Sequence, residues 1–277
     1  MSCNSDRRAL LERFARENRL AQSEVMLAIE RIVLGCDYGG TSYTTRAEAD
    51  QVGRLLGLGP GKRLLDIGAG SGWPGLYLAG TTGCDLALAD VPLEGLRVAV
   101  ERAAADRLPG ACWAIVADGA ALPFRHGWFD AIGHSDVLCC LEAKLSVLES
   151  CRRVIRTDGR MIFTVISISP DLSSADYQRA KEAGPPCVES AIAYPAMLER
   201  AGWKIIDCFD VTAEYAETTR LLVREEQAHA NELSTLLGNS ELSEKLARRR
   251  ARIKMLEEGL LRREMFAATA APAWRMA

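Results

Sequence analysis

The sequence predicts an α/β protein: a seven-stranded, mostly parallel sheet with helices on both faces, an N-terminal helical cap and a C-terminal helical lid insertion. Three observations predict it. Short apolar runs alternate with amphipathic stretches between residues 62 and 167, the pattern of strand–helix–strand units. A glycine-rich turn, Gly68 to Gly75, joins the first strand to the helix after it. Backbone without Cβ can approach a ligand closely there. Aspartates close three successive strands, Asp66, Asp90 and Asp118, so they line the carboxyl edge, where open α/β sheets bind ligands.

In chain order, residues 5–34 carry two helical patterns. Leu10, Leu11 and Phe14 share one face, and Val25, Met26, Ile29 and Val33 share another. Gly35 stops the second helix. The segment GCDYGGTSYTT then reads either as a surface loop or as a strip folded over a ligand. Thr44 or Thr45 caps a helix from about Ala47 to Leu56. Strands follow from Arg63, at 85–89, 112–117, 129–134 and 160–167, with helices at 93–107 and near 141–155. Pro74 fits a first helical turn, where its missing N–H costs little. Residues 168–202 are irregular and then helical, 203–212 form a strand, 213–258 are helical and strongly charged, and 260–270 form a last strand. In that helical stretch the run Arg248, Arg249, Arg250, Arg252 and Lys254, surrounded in sequence by glutamates, reads as a solvated helix face.

The chain of 277 residues is long enough for a sizeable core. Its formal net charge of −3 gives no electrostatic footprint for nucleic acid. Nine cysteines without a CxxC pair suggest reduced thiols, so neither disulfides nor a metal site are expected. No apolar run approaches the ~20 residues that span a bilayer, and the charged N-terminus has no signal-peptide core. A cytoplasmic protein without membrane insertion is the expectation, and oligomeric state stays open.

Gly70-Ser71-Gly72-Trp73-Pro74-Gly75 matches GxGxxG, a nucleotide-type turn with two possible owners. A carboxylate at Asp66, just before the glycines, would repel a pyrophosphate and welcome an ammonium. Asp90 is placed to accept hydrogen bonds from both ribose hydroxyls, in either kind of cofactor. Asp118 beside the Gly119 N–H can read the amino group and ring nitrogen of adenine.

The strings LDIGAGSG, VADGAALPF and FDAIGHSDVL resemble the motifs of class I S-adenosylmethionine-dependent methyltransferases. The pieces LGCDYGGTSYTT, YPAMLERAGW and EGLLRREMFAA are similar to the UbiE-type and the phosphoethanolamine- and sarcosine-type small-molecule enzymes. The resemblance implies a Rossmann-like fold, with a cap over 1–57, a cofactor domain over 58–277, and lid helices at about 168–202 and 213–258. It implies S-adenosyl-L-methionine as cofactor, contacted by Asp66, Gly68, Ala69, Gly70, Asp90, Val91, Asp118, Gly119 and Ser135. In those families the segment matching Thr41-Ser42-Tyr43 covers the methionine end, so Ser42 and Tyr43 join the set. Position 136 matches an acid near cofactor and acceptor. The tyrosine–histidine pair of the phosphoethanolamine enzymes is matched here by Glu24 and Cys140, which argues against phosphoethanolamine as substrate.

The expected reaction is methyl transfer to the N, O or C atom of a small-molecule acceptor. His134 is the candidate general base, because it ends a strand at the reactive edge and imidazole titrates near neutral pH; a hydrogen-bonded structural role is the competing reading. Asp136 is expected to orient an acceptor amine or polarise a hydroxyl, and Tyr38, beside it in an open cleft, is the third candidate catalytic residue. His126 and His229 read as exposed, and Asp130, at the opposite edge, as structural. Two rival readings stand: an NAD(P)-dependent oxidoreductase, and a non-catalytic S-adenosylmethionine-binding subunit.

Overall fold

The computed structural model describes residues 3–271; the outermost parts of the expected cap and cofactor domain, 1–2 and 272–277, lie outside the described residues. Three helices come first, α1 (Cys3–Leu20), α2 (Glu24–Val33) and α3 (Arg46–Leu56). Gly35 has a φ of +76° just beyond α2. Thr45 starts α3 by accepting a hydrogen bond from the Glu48 N–H at 3.2 Å, which satisfies one of the free donors of a helix start.

The alternating region follows as β1 (Arg63–Ile67), α4 (Gly75–Thr82), β2 (Asp85–Asp90), α5 (Leu93–Asp106), β3 (Cys112–Val116), β4 (Phe129–Ser135), α6 (Lys144–Val154) and β5 (Ile155–Ile168). The fifth strand thus begins earlier than the sequence pattern indicates. Helix α4 starts at Gly75, so Pro74 is its cap residue and not part of its first turn. Then come α7 (Ser174–Ala183), α8 (Tyr194–Arg200), β6 (Trp203–Asp210), α9 (Thr212–Ala228), α10 (Ala230–Leu237), α11 (Asn239–Glu257) and β7 (Leu261–Ala270).

All seven strands form one sheet in the order β3-β2-β1-β4-β5-β7-β6. β1 to β5 are parallel to one another, and β7 runs antiparallel to both β5 and β6. Because side chains alternate across a strand, each strand feeds two cores. Leu65, Ile67, Ile132 and Phe163 pack with the helices α6 and α8 through Leu148, Val154, Met197 and Leu198. Leu64, Leu86, Leu88 and Ile162 pack with α3, α4 and α5 through Val52, Leu56, Leu76 and Leu96. Each such fully buried side chain contributes about 1.5–3 kcal/mol. A third core joins Ile29 and Val33 of α2 to Leu222, Leu233 and Leu246 of α9, α10 and α11, with Trp73 among them. Trp73 follows the carboxyl end of β1, so cap and insertion share one apolar layer at the edge where the aspartates lie.

Among the described residues no helix is long and apolar enough to cross a membrane, and no group of His, Cys, Asp or Glu is placed to hold a metal ion.

Candidate functional site

The glycine turn is forced by close packing. A Cβ on Gly68, at φ +66°, would fall 2.5 Å from a Val137 methyl. Gly95 on α5 lies so close to the turn that its Cβ would meet the Gly70 carbonyl carbon at 2.6 Å. The Gly68 N–H donates to the Ala89 carbonyl at 2.8 Å, which ties the turn to the end of β2.

Three aspartates border this cradle. Asp66 is buried, and its Oδ2 accepts from the Gly75 N–H at 3.2 Å, at the start of α4. Burial pushes its carboxyl up to about 8, against the pull of that N–H. The sequence argument treats Asp66 as charged; in the cofactor-free chain it carries its proton at neutral pH. Asp90 accepts from the Gly70 and Val91 N–H groups, each at 2.7 Å. Burial raises its pKa as well, and the two N–H groups oppose the rise. Asp118 accepts from the Ala120 N–H at 2.9 Å and caps the short turn Gly119–Ala121. Gly119 is buried, and a Cβ there would meet Ile67 at 3.3 Å.

Two polar atoms in this region have no hydrogen-bond partner among the described residues. Asn18 Oδ1, from α1, lies 3.5 Å from where a Gly70 Cβ would stand, and Ser71 Oγ sits within the turn. Buried polar atoms are normally satisfied. A cradle that admits only glycine, carboxylates at its rim and unsatisfied oxygens beside it fit a polar, positively charged nucleoside ligand. Ser135 ends β4 next to Thr164 of β5, and both line a small cavity with Asp66, Gly75 and Gly133. Ser42 Oγ accepts from the Thr44 N–H at 3.0 Å and shapes the loop before α3.

A second cluster lies on the β5–β7 side of the edge. Arg263 of β7 is fully buried. Its Nε reaches both oxygens of Asp136, at 3.0 and 3.1 Å. Its two amino groups hold Glu48 of α3 in a fork at 2.8 and 2.7 Å, and one of them also donates to Thr164 Oγ1 at 3.0 Å. Asp136 itself adopts φ +54°, an unusual conformation for a residue with a side chain. The Arg263 bonds and the Thr164 carbonyl, which accepts from the Asp136 N–H at 3.0 Å, hold it there.

Above this ion cluster sits a group of cations and tyrosines. Glu226 of α9 is buried and receives Arg249 Nε at 2.9 Å and Lys245 Nζ at 2.9 Å, both from α11. The Tyr43 hydroxyl accepts from Arg252 at 3.1 Å and from Arg249 at 3.4 Å, and its ring meets Tyr215 edge-on at 4.8 Å. Burial would raise the Tyr43 phenol, but the Arg252 and Arg249 guanidiniums outweigh it and lower its pKa. Arg249 and Arg252 therefore correct the reading of a solvated arginine face. Arg248 and Arg250 do face outward, whereas residues 245, 249 and 252 share the inner face of α11.

Two other expectations are corrected. The His134 ring is buried, stacked on Phe163 at 4.7 Å, with neither nitrogen hydrogen-bonded among the described residues. Burial pushes its pKa down to about 3, which makes it a poor proton acceptor. Tyr38 does not join Asp136 in one cleft. Its ring lies 3.7 Å from the Arg102 guanidinium carbon and 5.1 Å from Trp73, and it lines a separate pocket with these two residues. His126 is exposed as expected, but His229 is half-buried, its Nδ1 2.9 Å from the Glu225 carbonyl oxygen. Asp130 takes the Arg63 N–H at 3.0 Å, at the edge opposite the site.

The sequence reading missed Arg263, Glu48, Glu226 and Tyr215. One signal was available. Arg263 occupies a buried position in the first half of β7, where Leu261, Arg263 and Met265 alternate with the partly exposed Arg262 and Glu264, and a charged residue in that phase requires a buried partner.

Comparison with known proteins agrees with the geometry. Residues 65–163 match the family described as Methyltransferase domain. Methyltransferase GfsG of Streptomyces halstedii is 27% identical over 175 residues, 61% of this chain and 62% of the relative. The 27-O-demethylrifamycin SV methyltransferase of Amycolatopsis mediterranei (strain S699) is 30% identical over 175 residues, 61% of this chain and 63% of the relative. The chain thus spans under two thirds of the length of these curated relatives. Among solved structures, phosphoethanolamine N-methyltransferase 2 of Haemonchus contortus, in complex with S-adenosyl-L-methionine, superposes with a TM-score of 0.71 at 16% identity. That match covers 90% of this chain and 58% of the other. The fold is that of the class I S-adenosylmethionine-dependent methyltransferases.

Proposed function

We propose that this chain, with its methyltransferase domain over residues 65–163, transfers a methyl group from S-adenosyl-L-methionine to a small-molecule acceptor. The observation that carries the reading is the glycine cradle with Asp66 and Asp90 at its rim, each carboxylate bonded only to backbone N–H groups. The cofactor, when bound, supplies an electrophilic methyl carbon on a cationic sulfur. Asp66 and Asp90 answer positive charge and hydroxyl donors with acceptors that no side-chain cation has neutralised. Gly68, Ala69 and Gly70 bring backbone close to the ligand. Asp118 and Gly119 offer an acceptor and a donor side by side for adenine, and Val91 and Ser135 flank the cradle. Ser42 and Tyr43 belong to the strip that covers it, which keeps water from the reacting atoms.

Asp136, held by Arg263, is a fixed acceptor at the boundary between cradle and insertion. His134 has no part in this mechanism. Much of the rate comes from alignment, with an effective molarity on the order of 10⁵ M or more.

Calorimetric titration with S-adenosylhomocysteine and with NAD tests the reading. The expected outcome is one bound S-adenosylhomocysteine per chain, no NAD binding, and at least a tenfold affinity loss in Asp90→Ala. Binding of NAD in its place sinks the proposal. Binding of S-adenosylhomocysteine without labelled-methyl transfer to any of a panel of phenols, amines, quinones and carboxylic acids supports a non-catalytic subunit.

A further inference from the structure

The inward cations of α11 are not equally matched. Lys245 and Arg249 share Glu226. Arg263, below them, has Asp136 and Glu48. Arg252 is bonded to no carboxylate: its partners are the Ala183 carbonyl at 3.0 Å, the Tyr43 hydroxyl at 3.1 Å and the Tyr215 hydroxyl at 3.4 Å. Among the described residues no carboxylate forms an ion pair with it. A guanidinium carries five N–H donors in a planar fork. The bonds of Arg252 employ Nε and Nη1, so among the described residues Nη2 stays uncommitted. A charge withdrawn from water without a counter-ion is costly, and burial favours pairing it.

Its position is chemically pointed. Arg252 Nη1 donates to the hydroxyls of both Tyr43 and Tyr215. The Tyr215 ring lies 5.5 Å from the guanidinium carbon of Arg263, which holds Asp136 at 3.0 Å, and the next residue, Val137, stands against Gly68 of the cradle. The unmatched cation thus faces the same strand edge as the cofactor turn, across Asp136. A small molecule lying along that edge would meet the guanidinium and its two phenols at one end and the cradle at the other.

We infer that the methyl acceptor presents an anionic oxygen to Arg252, beside Tyr43 and Tyr215. This inference rests on the methyltransferase reading above. The oxygen belongs to a carboxylate, a phosphate or an ionised phenol. All three accept the forked pair of N–H groups that a guanidinium offers.

The test titrates the protein saturated with S-adenosylhomocysteine with benzoate, phenyl phosphate, 4-nitrophenolate and, as the neutral control, benzyl alcohol. At least one anion is expected to bind tenfold or more tighter than benzyl alcohol, and the one that does names the source of the oxygen. Arg252→Gln should abolish that preference. Arg252→Lys, which keeps the charge and loses the fork, should weaken it about threefold. Arg248→Gln, on the exposed face, should leave it unchanged. The Lys variant carries the test if the Gln variant does not fold. Anions that bind no better than benzyl alcohol, or a preference that survives in both Arg252 variants, overturn the inference. S-adenosylhomocysteine binding measured alone keeps the two readings apart. Its absence in the wild type defeats the methyltransferase assignment, whereas its presence without anion preference defeats only the role of Arg252.

Discussion

The two halves of the reactive edge are built from opposite materials. On the β1–β2 side, the Asp66 and Asp90 carboxylates meet backbone N–H groups and no side-chain cation. On the β5–β7 side, Asp136, Glu48 and Glu226 are gripped by Arg263 and Arg249. One half keeps its acidity in reserve, as a carboxyl whose pKa burial has raised. The other is saturated with fixed ion pairs and has one guanidinium to spare. A cationic donor on the first side and an anionic acceptor on the second would approach each other along a gradient that the protein has already set.

Removing Arg263 is the most severe way to break this contrast. Arg263→Met leaves Asp136 and Glu48 buried without their cation. It should cost about 3–5 kcal/mol in urea unfolding, and a loss below 1 kcal/mol would mean that the cluster is not the anchor of the β7 side.

The cradle side is probed through pH. Between about pH 4 and 8 the folded chain keeps a proton on Asp66 that the unfolded chain has released. Stability from this group is therefore fully present at low pH and is lost as pH rises through about 8, with a slope of at most about 1.4 kcal/mol per pH unit. Asp66→Asn should flatten that slope in thermal melts of the cofactor-free protein. A cation bound beside Asp66 should expel the proton, so titration with S-adenosylmethionine near pH 7 should release protons, seen as a binding heat that changes with the ionisation heat of the buffer. An unchanged heat would show that Asp66 does not sense the ligand.

His134 sharpens the comparison from the opposite direction. Its depressed pKa means that the unfolded chain takes up a proton below about pH 6.5 that the folded chain refuses down to about 3. The wild type should thus lose stability on acidification from pH 6.5, and His134→Phe should recover about 1–2 kcal/mol at pH 5. Full turnover on the true acceptor is expected to persist in this variant, and a hundredfold loss would restore the histidine as a base. The smallest effect belongs to Arg248→Gln. Its partner Glu244 is 3.8 Å away and both are exposed, so stability should move by less than about 0.5 kcal/mol.

How much of this was legible in the sequence follows from distance along the chain. The cradle is written within one continuous stretch, residues 66 to 75, and its aspartates recur at strand ends whose spacing marks them. The sheet itself showed through its alternating strands and helices. The ion cluster joins residues 48, 136 and 263, and the cation cluster joins 43, 215, 226, 249 and 252. No local pattern connects such positions; only the docking of β7 and α11 brings them together. His134 misled for a related reason. Its place at a strand end suggested access, but strand alternation put its ring in the aromatic stack of Phe163 and Phe266. The arginine run on α11 divided between faces because a helix turns about 100° per residue, so adjacent identical residues acquire different surroundings.

One consequence of the strand order concerns the sequence of synthesis. β7 lies between β5 and β6 although it is made after both. Until it emerges, β6 has no neighbour in the sheet, and Asp136 and Glu48 lack the cation that joins them. The growing chain must therefore hold an unfinished sheet and an unmatched acidic pair through the whole of α9 to α11. Sheet closure and charge neutralisation then arrive together, in the docking of a single strand. A nascent chain stalled before residue 261 should consequently be open to proteases and bound by chaperones, and a few residues further on it should become resistant in one step.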